Sequence, residues 1–167
     1  MNKFLLPLTA IALCFSYQAM AASDSATGNS KAKIIAPVTI TAGDDMNFGT
    51  MLSSSAHNVI LTTADGRTSS VSSMLVDDSA NTPKAGRFTI NNGGTAAVTA
   101  TITLPSSTKI SNSGTDLTVD TFTSDFPTGS NNIPAGDTTL KVGATLHVTA
   151  SAPSGDYLGT YDVTINY

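Results

Sequence analysis

Few side chains in this sequence are placed to do chemistry: His57, His147, two Ser-x-x-Lys runs and two Asp pairs. His147 stands between Leu146 and Val148, so in a strand it shares the outward face with Thr145 and Thr149. A surface side chain explains it better than a catalytic base. His57 lies in a "SSSAHN" loop with no Asp or Cys at ligand spacing, so a two-histidine metal site would depend on the fold alone. Ser106–Lys109 and Ser30–Lys33 both fit S-x-x-K, which is reactive where a helix presents Ser and Lys on one face. Here the first follows Leu104-Pro105 in a loop and the second lies in a polar leader. Asp44-Asp45 and Asp77-Asp78 lack the D-x-D-x-D-G spacing of a calcium loop and suit turns instead. No G-x-S-x-G, G-x-G-x-x-G or P-loop occurs. The expectation is a non-enzymatic protein with no catalytic residue, no metal ligand and no cofactor.

Chemistry being sparse, the information lies in the elements. Residues 1–21, "MNKFLLPLTAIALCFSYQAMA", have the three parts of a secretory signal: Lys3, an apolar stretch from Phe4 to Phe15, and Ala19-Met20-Ala21 as a cleavage site. The stretch is too short to span a bilayer, and no membrane insertion of the mature chain is expected. Leu13 stands where a lipoprotein signal needs a small residue before Cys14. Cys14 is the single cysteine and leaves with the signal, so the exported domain must rely on its core. Beyond Lys3 there are seven basic residues against twelve acidic ones, and all twelve are Asp. The absence of Glu points away from helix, and a mildly acidic chain offers no basic patch for nucleic acid.

Residues 22–33 are small and polar, a leader without period, and the domain is expected over 34–167. Within it Ile34, Ala36, Val38 and Ile40 share one face, although Pro37 cannot donate to a ladder and suits an edge or a sheet switch. Val59 and Leu61 lead to Asp65-Gly66, a hairpin signal. "GRFTI", the "NNGG" turn at 91–94 and "TAAVTATITLP" predict a second hairpin. Residues 105–137 read as loop around one short strand, Leu117–Phe122, whose frame changes at Phe122. Leu140, Val142, Leu146 and Val148 keep one frame across Gly143-Ala144, and Tyr161, Val163, Ile165 and Tyr167 form the last alternating set. The pattern predicts an all-β fold, an immunoglobulin-like antiparallel sandwich of about seven strands, with a barrel left open by pattern alone.

Three blocks carry a family resemblance: "IIAPVTITAGDDMNFGT" (34–50), "GRFTINNGGTAAVTATITLP" (86–105) and "TLKVGATLHVTASAPSGDYLGTYDVTINY" (139–167). They resemble the domain of unknown function 4402, a family of bacterial exported proteins. The layout is also similar, more distantly, to chaperone–usher pilus subunits of the archaic, spore coat protein U type. In that group "NFG" likewise follows the first strand, and an aromatic-tipped strand comes last. Other chaperone–usher pilins carry a glycine twelve residues before a tyrosine near the C-terminus, the separation of Gly155 from Tyr167. The archaic subunits usually have a cysteine before "NFG", and this chain has none.

The resemblance implies a sandwich lacking a strand and completed by donation, first from a periplasmic chaperone working with an outer-membrane usher, then from the next subunit of a homopolymer. Gly155, Tyr161, Val163, Ile165 and Tyr167 would line the acceptor groove. Ile34, Ala36, Val38 and Ile40 would be the donor, or this domain's own first strand. Localisation would be periplasmic in transit, then in a surface fimbrium. The alternative is a self-contained, secreted immunoglobulin-like module that binds a surface ligand.

Overall fold

The computed structural model describes residues 23–94, 96–126 and 129–167. The expected signal 1–21, with Cys14 and its cleavage site, lies outside the described residues. Ten strands are seen among the described residues: β1 Val38–Ala42, β2 His57–Leu61, β3 Arg67–Ser69, β4 Gly86–Asn92, β5 Val98–Thr103, β6 Ser107–Asn112, β7 Thr115–Ser124, β8 Ser130–Ile133, β9 Gly136–Val148 and β10 Thr164–Asn166. A 3-10 turn spans Ser72–Met74, and no described helix is long and apolar enough to cross a membrane.

The longest strand, β9, shows why the sequence folds as sheet. Leu140, Val142, Ala144, Leu146 and Val148 alternate along it and all are buried, giving a single apolar face of period two. Both edges of β9 are used. β4 pairs with 136–142 and β2 with 144–148, while β7 takes the opposite edge, as Val142 meets both Gly86 and Ser124 and Thr145 meets both Ile60 and Asp120. Gly143 sits where β4 gives way to β2, and a Cβ there would strike the Leu61 carbonyl. With β1 on β4, β3 on β2 and β6 on β7, this makes a seven-stranded antiparallel sheet. The second sheet is three-stranded, in the order β10-β5-β8. The two do not close into a barrel; the fold is an all-β sandwich.

The apolar core has two parts. Val38, Ile90, Leu140 and Val142 from the large sheet pack with Ala100 and Ile133 from the small one, and Ile102, Val163 and Ile165 add to the same cluster. Elsewhere the large sheet is covered by loops: Val59, Leu61, Leu117, Val119 and Leu146 lie under Phe48, Ala152, Met51 and Leu75. Met46 and Phe122 touch both clusters.

The expected hairpin at Asp65-Gly66 joins β2 to β3, with Asp65 left-handed at φ 63°. The expected "NNGG" hairpin does not form. β4 belongs to the large sheet and β5 to the small one, so the chain changes sheets after Asn92. The buried Asn92 side chain holds this crossing, donating to the Ala96 and Ile133 carbonyls at 3.0 and 3.2 Å and accepting from the Gly94 N–H at 3.2 Å. Residues 105–137 contain three strands rather than one. β6 and β7 form a hairpin across Ser113-Gly114, both at positive φ, and Thr121, at φ 50°, marks the bulge where β7 shifts register against β9.

One residue organises the "NFG" block. Arg67 opens β3, its side chain only 5% exposed. Its guanidinium donates from Nη1 to the Phe48 and Thr50 carbonyls at 3.0 and 2.8 Å and from Nη2 to the Val76 carbonyl at 2.9 Å. Gly49 runs past it at φ 74°, and a Cβ there would come within 2.6 Å of Nη1. Asn47 Oδ1 accepts from the Gly49 N–H at 2.8 Å, and Phe48 enters the core. Without the guanidinium the Phe48 and Val76 carbonyls lose the donors it supplies and the Thr50 carbonyl keeps only the Val76 N–H, a costly change for part-buried groups. Arg67→Ala is therefore expected to lower unfolding free energy by about 2–4 kcal/mol, seen as a lower urea midpoint, with Arg67→Lys restoring less than half because one ammonium lacks the planar fork.

Candidate strand-acceptor site

Residues 154–166 run along the molecule's side, first beside β6 and then beside β5. Gly155, at φ 135°, lies against Asn112, whose side chain donates to the Ser154 carbonyl at 3.2 Å. Leu158 and Ser111 exchange N–H to carbonyl bonds at 3.1 and 2.8 Å. Gly159 lets the segment close on β6, since a Cβ there would meet the Lys109 carbonyl, and Thr108 Oγ1 donates to the Thr160 carbonyl at 2.7 Å. β10 then pairs with β5, Thr164 opposite Thr103 and Ile165 opposite Ile102. Six residue steps from Leu158 to Thr164 thus oppose eight from Ser111 to Thr103. The surplus falls at Leu104-Pro105-Ser106, where the chain passes from one sheet to the other.

Tyr161 pins this segment down. Its ring meets Phe88 edge-on at 5.8 Å and Phe122 at a 35° tilt and 5.4 Å. Its hydroxyl lies over Gly86, at a spot a Cβ would occupy. Burial, with the Asp45 carboxylate as a smaller cause, pushes the phenol up to about 12. Below it Val163 and Ile165 face the core and Tyr167 is 56% exposed.

The outer edge of β10 is the feature that defines the site. β5 satisfies one edge, and no strand among the described residues pairs with the other. Among the described residues β1 is likewise bonded to β4 alone. Cα atoms of β1 and β10 approach within 8 Å, yet the two share no ladder. Two strand edges, one from each sheet, therefore run close together at one side of the sandwich.

The structure splits the residues singled out from sequence. Tyr161, Val163 and Ile165 are inward on one segment, while Gly155 lies at the far end of β6 rather than in β10. On the other side Val38 and Ile40 belong to β1, packed on this domain's own core, and Ala36 is half-buried. Ile34 precedes β1 and is 95% exposed, with Ile35 47% exposed.

The residues with potential chemistry are dispersed. His57 does not sit in a loop; it opens β2 and is buried, Nδ1 donating to the Ser55 carbonyl at 2.9 Å. His147 faces outward, Nε2 at 2.9 Å from Asp120 Oδ1 and Nδ1 at 2.9 Å from Asn58 Oδ1. The His147 bond and the Thr121 hydroxyl hold the Asp120 carboxyl below its ordinary value. Lys109 lies in β6, ion-paired to Asp116 at 2.9 Å, while Ser106 precedes that strand, so no helix presents the two on one face. Asp44 pairs with Lys84 and Arg87, and Asp78 accepts from the Thr50 hydroxyl and the Ala80 N–H. No group of three His, Cys, Asp or Glu able to hold a metal occurs among the described residues. Arg67 gave no signal in the sequence, because nothing in "GRTSS" tells that the side chain is buried.

The fold and its edges define an all-β sandwich with one strand edge left uncovered beside another. The chain belongs to the family of the domain of unknown function DUF4402, whose profile matches residues 38–167. Neither the curated proteins nor the solved structures searched contain a match to it.

Tyr161 offers the most direct test of how the segment is held. Tyr161→Ala is expected to lower stability by about 2–4 kcal/mol and Tyr161→Phe by under about 1 kcal/mol, measured by urea unfolding. Because the fold favours the neutral phenol, its contribution is full below the ordinary phenol value and lost as pH rises through it toward about 12. Phenolate absorbance should show a late component near 12 that Tyr161→Phe removes.

Proposed function

We propose that this protein is an exported, non-enzymatic structural subunit of a fimbria or surface filament, assembled by β-strand donation. The observation that carries the reading is the outer edge of β10, unpaired and running within 8 Å of β1 without a ladder. A free edge in a soluble protein is normally blunted by charge, proline or a covering loop. Here Asp162 is the sole charge on residues 157–167 after Asp156, while Val163 and Ile165 keep the core side apolar. A strand entering between β1 and β10 would gain a ladder of backbone bonds for affinity, and its alternate side chains would set the register.

The donor in this reading is the segment before β1, carrying the exposed Ile34, since Val38 and Ile40 are already used by their own sheet. A periplasmic chaperone delivered to an outer-membrane usher would hold the edge until the next subunit supplies its own segment. That head-to-tail contact does not close, so it propagates a filament. The placement of β1 on its own sheet also favours a second reading, a self-contained secreted module that binds a surface ligand.

Expression of residues 22–167 in a bacterial periplasm, with and without residues 22–36, separates the two. The shorter chain keeps β1 whole. The filament reading expects SDS-resistant ladders from the longer chain and monomer from the shorter. A stable monomer from the longer chain, with no chaperone present, would contradict it.

A further inference from the structure

The outer face of the small sheet is built from uncharged polar side chains. On β5 the outward residues are Thr99, Thr101 and Thr103. The register sets Thr164 of β10 beside Thr103, places Thr101 between Asn166 and Ser130, and puts Asn132 of β8 opposite Thr99. All are exposed except Thr101, which is half-buried. The three strands thus present hydroxyls and amides only, with Asp162 at the margin. The outer faces of the large sheet, by contrast, carry Lys109 with Asp116, His147 with Asp120, and Arg87 with Asp44 and Asp65.

We infer that this uncharged face is where filaments of this chain pack side by side, the partner being the same face of a second filament; the inference rests on the strand-donation reading above. Two arguments favour a second copy over another occupant. First, hydroxyl and carboxamide groups each donate and accept, so a face made only of them is complementary to itself. Dry contacts between paired sheets are built from such short polar side chains. Second, residues 23–167 hold seven basic against twelve acidic side chains, so copies repel wherever their charged faces meet. On the outer face of the small sheet two copies approach without that cost. Three short strands bury too little to hold a pair of monomers together, so the contact becomes effective only when repeated along a polymer.

The experiment compares polymers of residues 22–167 with those of Thr99→Asp/Thr103→Asp, and with Thr139→Asp as control, an exposed position on the large sheet. Filaments and bundles are counted by negative-stain microscopy, bundling is measured by low-speed pelleting, and assembly is followed by SDS-resistant ladders. The expected result is bundled wild type and Thr139→Asp that persist at high sodium chloride. The double variant should keep its ladders while its pelleted fraction falls about tenfold or more, because the repulsion repeats at each subunit. Single wild-type filaments, equal bundling by the double variant, or bundles dissolved by salt would overturn the inference and leave strand donation standing. Absence of any polymer would overturn both.

Discussion

A β-strand presents two rows of backbone donors and acceptors, and each row needs a partner or water. In this domain β9 has both rows filled by protein, with β4 and β2 on one side and β7 on the other, and the large sheet is built outward from it. β10 has one row filled, by β5. That asymmetry between the centre and the last strand governs the rest. The small sheet reaches its limit at β10, β1 runs beside it without bonding, and the apolar side chains Val163 and Ile165 lie beneath an uncovered backbone edge.

What keeps such an edge in place is side-chain anchoring rather than ladder bonds. Residues 157–163 have one bridge, at Ser111 and Leu158, and two side-chain bonds, from Thr108 to the Thr160 carbonyl and from Tyr157 to the Pro153 carbonyl. Tyr161 replaces the missing ladder with an aromatic contact to Phe88 and Phe122, made possible by the bare backbone of Gly86. Arg67 acts similarly where loops rather than a second sheet cover β2, β7 and β9. One guanidinium ties together the carbonyls of Phe48, Thr50 and Val76. Both anchors couple a loosely laddered segment to the core.

The all-β class, β9 and the alternating Tyr161, Val163 and Ile165 were legible in the sequence, because a half-buried strand writes its period directly into residue type. β6 and β8 were not. "STKISN" holds a single large apolar residue, Ile110, and "SNNI" a single Ile133, so edge strands of this kind resemble loops. The "NNGG" signal marked the end of β4 but could not tell a hairpin from a crossing, because Asn and Gly suit either exit from a strand. The distinction was made by Asn92, whose amide bonds reach Ile133, remote in sequence. His57 was misplaced for a related reason: its polarity suggested a loop, whereas its pairing with Val148 puts it inside. At the candidate site, the split of Ile34–Ile40 between an exposed lead and a laddered β1 follows from Pro37, which cannot bond and so delays the strand to Val38. The sequence showed the proline but not which side of it would be structured.

The central claim is that the edge of β10 receives a strand carrying Ile34 from another copy. Residues 23–167 contain no cysteine, so one pair can be introduced cleanly: Ile34→Cys with Val163→Cys, and in a second register Ile34→Cys with Ile165→Cys. Neighbouring strands bring Cα atoms within reach of a disulfide. Under mild oxidation in the assembled state, the account predicts disulfide-linked ladders between copies from at least one register, lost on reduction. Disulfides formed within single chains, or none between copies in either register, would contradict it.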